Sequence, residues 1–136
     1  MASIFSRIIV GEIPGEFVFT DDLWVALLDI APAAPGHVLL VPRAEVPFLA
    51  QLPAPMLASL GDRLARLTTL VKQISGCPAV NVLVNDGPEA GQAVPHAHVH
   101  VIPRFADDGK HFHPQGGKYG DGEMKLWAQR LRTAWR

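Results

Sequence analysis

Apolar positions recur every three or four residues between residues 55 and 75. Met56, Leu57, Leu60, Leu64, Leu67, Leu70, Val71 and Ile74 form one stripe there, with Asp62, Arg63, Arg66 and Lys72 largely outside it. That spacing predicts an amphipathic helix. Pro55 suits its first turn, and Gly76 followed by Pro78 stops it. A shorter helical pattern, Ile4, Phe5, Ile8 and Ile9, stands behind Ser3 as N-cap and ends at Gly11 and Pro14. Residues 16–20 and 23–29 read as two strands of a hairpin turning at Asp21-Asp22. Residues 31–36 form a stiff loop, because Pro32 and Pro35 fix their own φ and restrict the residues before them. Residues 37–41 are a buried strand stopped by Pro42, and residues 80–84 are a further strand followed by a turn over 85–92. Beyond Arg104 the chain becomes polar and glycine-rich, which predicts a mobile loop over 107–117. A last helix over 123–135 presents Met124, Trp127, Leu131 and Trp135 on one side. The order predicts an α+β domain: an antiparallel sheet of about five strands, one long helix, a short N-terminal helix and a C-terminal helical extension. A single domain over residues 1–136 is expected, with its core in 3–104 and an extension in 105–136.

Residues 94–102, Val-Pro-His-Ala-His-Val-His-Val-Ile, alternate histidine with small or apolar residues. In a strand, alternate side chains share a face, so His96, His98 and His100 are expected to line one side. Their anchors would stand about 6.6 Å apart at roughly 3.3 Å per residue. Imidazole is the side chain that titrates near neutral pH, so this face is where chemistry is expected, with His37 upstream as a fourth member.

Charge and cysteine usage narrow the classes. Apolar residues make up 49 % of the 136 and charged residues only 18 %, against about a quarter in ordinary domains. So little charge on a small domain points to surface hidden between subunits, most simply in a two-fold dimer. A net charge of −1 argues against a bulk nucleic-acid binder, which needs a basic stripe. Cys77 is the single cysteine, so no internal disulfide forms and a reducing compartment suits the chain. The start has no signal-peptide pattern and no apolar run spans a membrane, which makes the cytoplasm the expected location.

Two chemistries compete for the histidine face. Imidazoles at i and i+2 can hold zinc with His37 or a carboxylate as third ligand, but no neighbouring carboxylate pattern is placed to orient them. Instead Gly87, Gly91 and Gln92 form a glycine-rich segment whose backbone can approach an anion and offer amide donors. One neutral imidazole would then attack phosphorus while a second group serves the leaving group. Asp29, at a strand end, reads either as a turn acceptor or as a carboxylate for ribose hydroxyls. His111 and His113 read as solvated loop residues.

Taken together, these residues resemble the histidine triad family of nucleotide hydrolases and transferases. The resemblance rests on His96-Ala97-His98-Val99-His100-Val101-Ile102, flanked by residues 85–92 and Pro103-Arg104, which look like the dinucleoside polyphosphate hydrolase branch. Leu27-Leu28-Asp29-Ile30, Pro35-Gly36-His37 and Val41-Pro42 fall in the same order upstream. It implies that His98 is the nucleophile for the α-phosphate of an adenine nucleotide conjugate, such as a diadenosine polyphosphate or adenosine phosphoramidate. His96, His100 and His37 would support it. Phe5, Ile8 and Leu27 would hold the purine base, and Asp29 and Ile30 the nucleoside. Asn85, Gly91, Gln92, Ala93 and Val94 would lie by the phosphates and leaving group.

The resemblance also implies a homodimer and no cofactor beyond a divalent metal carried by the substrate. An alternative is a nucleotide-binding regulatory or interaction protein with little catalytic activity. The chain departs from the pattern in two places. Zinc-bearing relatives have a cysteine-x-x-cysteine and a histidine where this chain has Ser3, Ser6 and Glu45, so of those ligands only His96 remains and no structural zinc is expected. Ala93 stands where many relatives have a hydroxyl residue, which changes the donors open to the leaving group.

Overall fold

The computed structural model describes residues 2–136. Five antiparallel strands, β1 (Phe17–Thr20), β2 (Trp24–Leu28), β3 (Val38–Pro42), β4 (Ala79–Leu83) and β5 (Val99–Arg104), lie in the order β1-β2-β3-β5-β4. Three helices accompany them: α1 (Ile4–Ile9), α2 (Ala54–Ser75) and α3 (Glu123–Ala134). The predicted element order and types hold; β1 is trimmed by one residue at its start and β2 by one at each end, and β3 and β4 are each shifted by one residue.

The period-two pattern of the strands feeds two apolar layers. On one face Trp24, Ala26, Val38, Leu40, Val99 and Val101 pack against Leu67 and Val71 of α2. On the other, Val25, Leu27, Leu39 and Val41 pack against Phe5 of α1. Each fully buried valine, leucine or phenylalanine in these layers contributes about 1.5–3 kcal/mol. The indole N–H of Trp24 donates to Ser59 Oγ at 2.7 Å, which satisfies the polar atom of a fully buried side chain.

Asp21 makes the hairpin turn by accepting from the amides of Leu23 and Trp24, both at 2.8 Å. It also pairs with Arg63 of α2 at 2.7 Å, so one carboxylate joins the sheet to the long helix. Gly76 closes α2 with φ 72°, a left-handed position where its N–H bonds to Lys72 O.

Three expectations need correction. The stripe on α2 is narrower than its apolar positions suggest: Leu57, Leu70 and Ile74 are exposed, because the sheet meets only the Leu67–Val71 side. The strand expected to carry all three histidines begins at Val99, so of them only His100 is in β5. Pro95 brings no amide to a ladder, and the Ala97 amide is taken by Val46 O at 2.8 Å instead of a neighbouring strand. The start of the 107–117 loop is pinned, with Asp108 accepting from Arg104 at 2.8 and 2.9 Å and from the amides of Phe105 and Lys110.

Helix α3 buries none of its residues. Met124, Trp127, Leu131 and Trp135 are all exposed.

Candidate active site

A cavity of about 640 Å³ opens between α1, the β2 end and the segment before β5, a size typical of small-molecule sites. Phe5, Ile8 and Leu27 form its apolar wall, with Asp29 and Ile30 at one side. Asn85, Gly91, Ala93 and Val94 stand opposite, and His98 and His100 reach it from below. Eleven of the fourteen residues singled out from the sequence therefore meet in one place. His37, His96 and Gln92 do not line it.

His37 and His96 are buried behind the lining histidines. The Ala33 amide donates to His37 Nδ1 at 3.0 Å, so that nitrogen is an acceptor and Nε2 carries the proton. His37 Nε2 stands 2.9 Å from His100 Nδ1 and donates to it. The proton of His100 is thereby placed on Nε2, the atom left for the cavity. His98 is oriented separately. Its Nδ1 lies 2.7 Å from the His96 carbonyl oxygen, which only accepts, so Nδ1 carries the proton and Nε2 keeps a free lone pair. The rings of His98 and His100 are 5.0 Å apart, and Phe5 meets His98 edge-on at 5.0 Å. Though His96 and His98 lie outside the strand, alternation along the extended segment still delivers their rings to one side of the sheet.

Burial keeps these supporting imidazoles neutral. It pushes His100 down to about 4, with His98 and His37 adding to the effect and Asp29 opposing it. Burial likewise lowers His37, against the Asp29 carboxylate, and His96, against the Pro42 carbonyl and Glu45. The sign for stability follows by linkage. Unfolded imidazoles take up protons below their ordinary value of 6.5 that the buried ones refuse, so acid favours the unfolded chain. The thermal midpoint should therefore fall between about pH 7 and pH 5, above the carboxylate range, and fall less in His100→Asn. Calorimetry across that range checks it; a flat midpoint would contradict neutral burial.

The phosphate-side expectations change. The Gly91 amide donates to Pro88 O at 3.0 Å and the Gln92 amide to Gly87 O at 3.1 Å, so both are occupied within their own turn. Gln92 faces away from the cavity: its Nε2 donates to Pro47 O at 2.8 Å and its Oε1 accepts from the Gly87 amide at 2.9 Å. In these bonds it braces the loop. Among the described residues the amides of Ala93 and Val94 donate to no carbonyl, and both residues line the cavity. These are the donors left for an anion.

Asp29 is a turn acceptor, the first of the two readings weighed for it, and it also faces the cavity. Oδ1 accepts from the Ala31 amide at 2.9 Å, while the residue also lines the cavity with Oδ2 3.6 Å from His37 Nε2. Asp29, His37 and His100 offer ligand atoms within 4.8 Å of one another. The donor chemistry does not fit a metal there, because His37 Nδ1 already accepts an N–H and Nε2 is protonated. A metal-bound imidazole ordinarily donates from its other nitrogen.

Gly15 and Leu39 also line the cavity without having been singled out from the sequence. Gly15 had a usable signal as the small residue between Pro14 and the first strand. A Cβ there would meet Ile8 Cγ2 at 2.6 Å, so a side chain would push the base-pocket wall. His111 and His113 lie outside the cavity, as expected of solvated loop residues.

Residues 10–107 match the HIT domain family, and the chain belongs to it. It is 34 % identical over 105 residues to adenylylsulfatase HINT3 of Arabidopsis thaliana, covering 77 % of this chain and 53 % of that protein. It is 35 % identical over 104 residues to the asymmetrical bis(5'-nucleosyl)-tetraphosphatase of Schizosaccharomyces pombe, covering 76 % of this chain and 56 % of that one. The chain thus spans little more than half the length of these two enzymes. Among solved structures it superposes on a histidine triad nucleotide-binding protein from Candida albicans with a TM-score of 0.85 at 28 % identity, over 97 % of this chain and 96 % of that one. The α+β arrangement read from the sequence is therefore the HIT fold.

Proposed function

We propose that the protein hydrolyses an adenine nucleotide conjugate at its α-phosphate through a nucleotidyl-histidine formed on His98. The observation that carries this is the fixed tautomer of His98, which leaves Nε2 unprotonated at a cavity also lined by His100. The lone pair of Nε2 attacks phosphorus and forms the N–P bond. The bond from phosphorus to the leaving group breaks and its electrons go with that group: a polyphosphate conjugate loses P–O and a phosphate anion, and a phosphoramidate loses P–N and, with a proton taken from solvent, ammonia. His98 is then cationic, and its Nδ1–H remains on the His96 carbonyl. His100 Nε2–H donates a hydrogen bond to the oxygen on which charge develops. Water next attacks phosphorus, the N–P electrons return to Nε2, and a proton leaves with solvent.

Phe5, Ile8 and Leu27 give an apolar slot for the purine, and the exposed oxygen of Asp29 suits ribose hydroxyls. No metal is required in this scheme beyond any ion the polyphosphate carries. Hydrolysis of diadenosine polyphosphates and adenosine phosphoramidate, each with and without chelator, tests the reading. Chelator-resistant turnover of at least one supports it; turnover strictly dependent on added metal for every substrate contradicts it. Ala93 favours a second reading, a nucleotide-binding protein of low activity, since no hydroxyl is present there to serve the leaving group. AMP binding with no turnover would select it.

We also propose a cytoplasmic homodimer. No described helix is long and apolar enough to cross a membrane. Strand β4 is a sheet edge with Val82 exposed beside Leu70 and Ile74 among the uncovered apolar residues, and such an edge invites pairing with a second copy. Val82→Lys should shift the sedimenting species from dimer to monomer; a wild-type monomer would overturn the assembly.

A further inference from the structure

We infer that Ser3 is a positioning residue for the nucleophile: its hydroxyl donates to the His96 tautomer that the Pro42 carbonyl fixes and anchors that ring, while the His96 carbonyl holds the His98 ring. The inference rests on His98 as nucleophile but concerns residues outside the cavity. His96 is fully buried, and it does not line the cavity. Its Nε2 lies 2.8 Å from the Pro42 carbonyl oxygen, which only accepts, so Nε2 carries the proton and Nδ1 a lone pair. Ser3 Oγ lies 2.6 Å from that lone pair and must donate its proton there.

The remaining contacts give the serine a direction. Ser3 Oγ accepts from the Ser6 amide at 3.0 Å as the N-cap of α1. Ser6 Oγ donates to Glu45 Oε1 at 2.7 Å, and the Ser3 amide donates to the same oxygen. Glu45 is the other acceptor beside the Ser3 side chain, and the His96 Nδ1 lone pair at 2.6 Å takes the hydroxyl proton. Reversing the His96 tautomer would set a bare nitrogen against the Pro42 oxygen. A displaced His96 would carry its carbonyl with it, and that carbonyl is the partner of His98 Nδ1 at 2.7 Å.

The same helix that Ser3 caps carries Phe5, whose ring edges His96 at 5.7 Å and His98 at 5.0 Å. Ser3, Ser6 and Glu45 stand where zinc-bearing relatives place metal ligands. Here they bond to one another and to His96, so a hydrogen-bonded latch joins α1, the chain after β3 and the nucleophile segment.

Three variants separate positioning from mere folding. Ser3→Ala removes the donor, Ser3→Asp keeps a capping acceptor but offers no proton to Nδ1, and Ser3→Thr retains both roles. The expected result for the first two is a kcat lower by about ten- to a hundredfold with KM nearly unchanged, and near-wild-type kcat in Ser3→Thr. Nitrogen-15 NMR of the imidazoles reads their protonation without any substrate, and in Ser3→Asp His96 should become protonated on both nitrogens, between the introduced carboxylate and the Pro42 oxygen. Folded Ala and Asp variants with wild-type kcat, or a His96 still neutral in Ser3→Asp, would overturn the inference. If the wild type turns over no nucleotide, the reading of His98 fails, and the NMR result alone decides whether Ser3 donates to His96.

Discussion

Replacing His98 with alanine should lower turnover by about a thousandfold or more and leave AMP binding within a few-fold of wild type. The split follows from where each function resides. In the proposed scheme Phe5, Ile8 and Leu27 hold the base and Asp29 lines the same cavity; of these, the His98 ring meets Phe5, edge-on at 5.0 Å. The lone pair proposed to attack phosphorus belongs to that one ring, because Nδ1 is occupied by the His96 carbonyl. Calorimetric titration of AMP beside steady-state kinetics checks both halves. Substantial turnover in a folded variant would remove His98 from the mechanism.

The second large effect is expected at His100. His100→Ala should lower kcat by about a hundred- to a thousandfold, the usual consequence of removing a donor to a developing oxyanion. The donor exists only because His37 Nε2–H occupies His100 Nδ1 and the Ala33 amide occupies His37 Nδ1. His37→Phe should therefore lower kcat in the same direction by a smaller factor, since His100 survives without its orienting partner. Steady-state kinetics of the two single variants and the double variant provide the check. In the double variant the effects should be far from additive, because one donor is being lost twice. Independent, fully multiplicative losses would show that His37 acts on something other than His100.

Much of this architecture was legible from residue pattern. The period-three-and-four stripe gave α2, and the capping serine gave α1. The alternation through His96, His98 and His100 predicted rings on one side even though the regular strand starts later. The side chains that line the cavity were mostly legible because apolar and polar types stand at motif positions. What stayed hidden was carried by the backbone. The Ala33 amide and the carbonyls of Pro42 and His96 fix three tautomers, and no side-chain pattern encodes which main-chain group will face a ring. The partners of Gly91 and Gln92 have the same origin. Their types suit an anion-facing turn, but sequence does not show that the turn takes their amides or that the Gln92 side chain bonds the Gly87 amide and Pro47 oxygen. The width of the α2 stripe was misleading because apolar positions that stay exposed and apolar positions that join the core look alike in sequence.

The most direct test of covalent catalysis by His98 is intact-mass spectrometry of wild-type protein quenched during turnover of a diadenosine polyphosphate, followed by peptide mapping. The expected result is a mass increase of one adenylyl group, located on His98 and absent from His98→Ala. Turnover at full rate with no adduct in rapidly quenched samples, or an adduct on another residue, would contradict a nucleotidyl-histidine at His98.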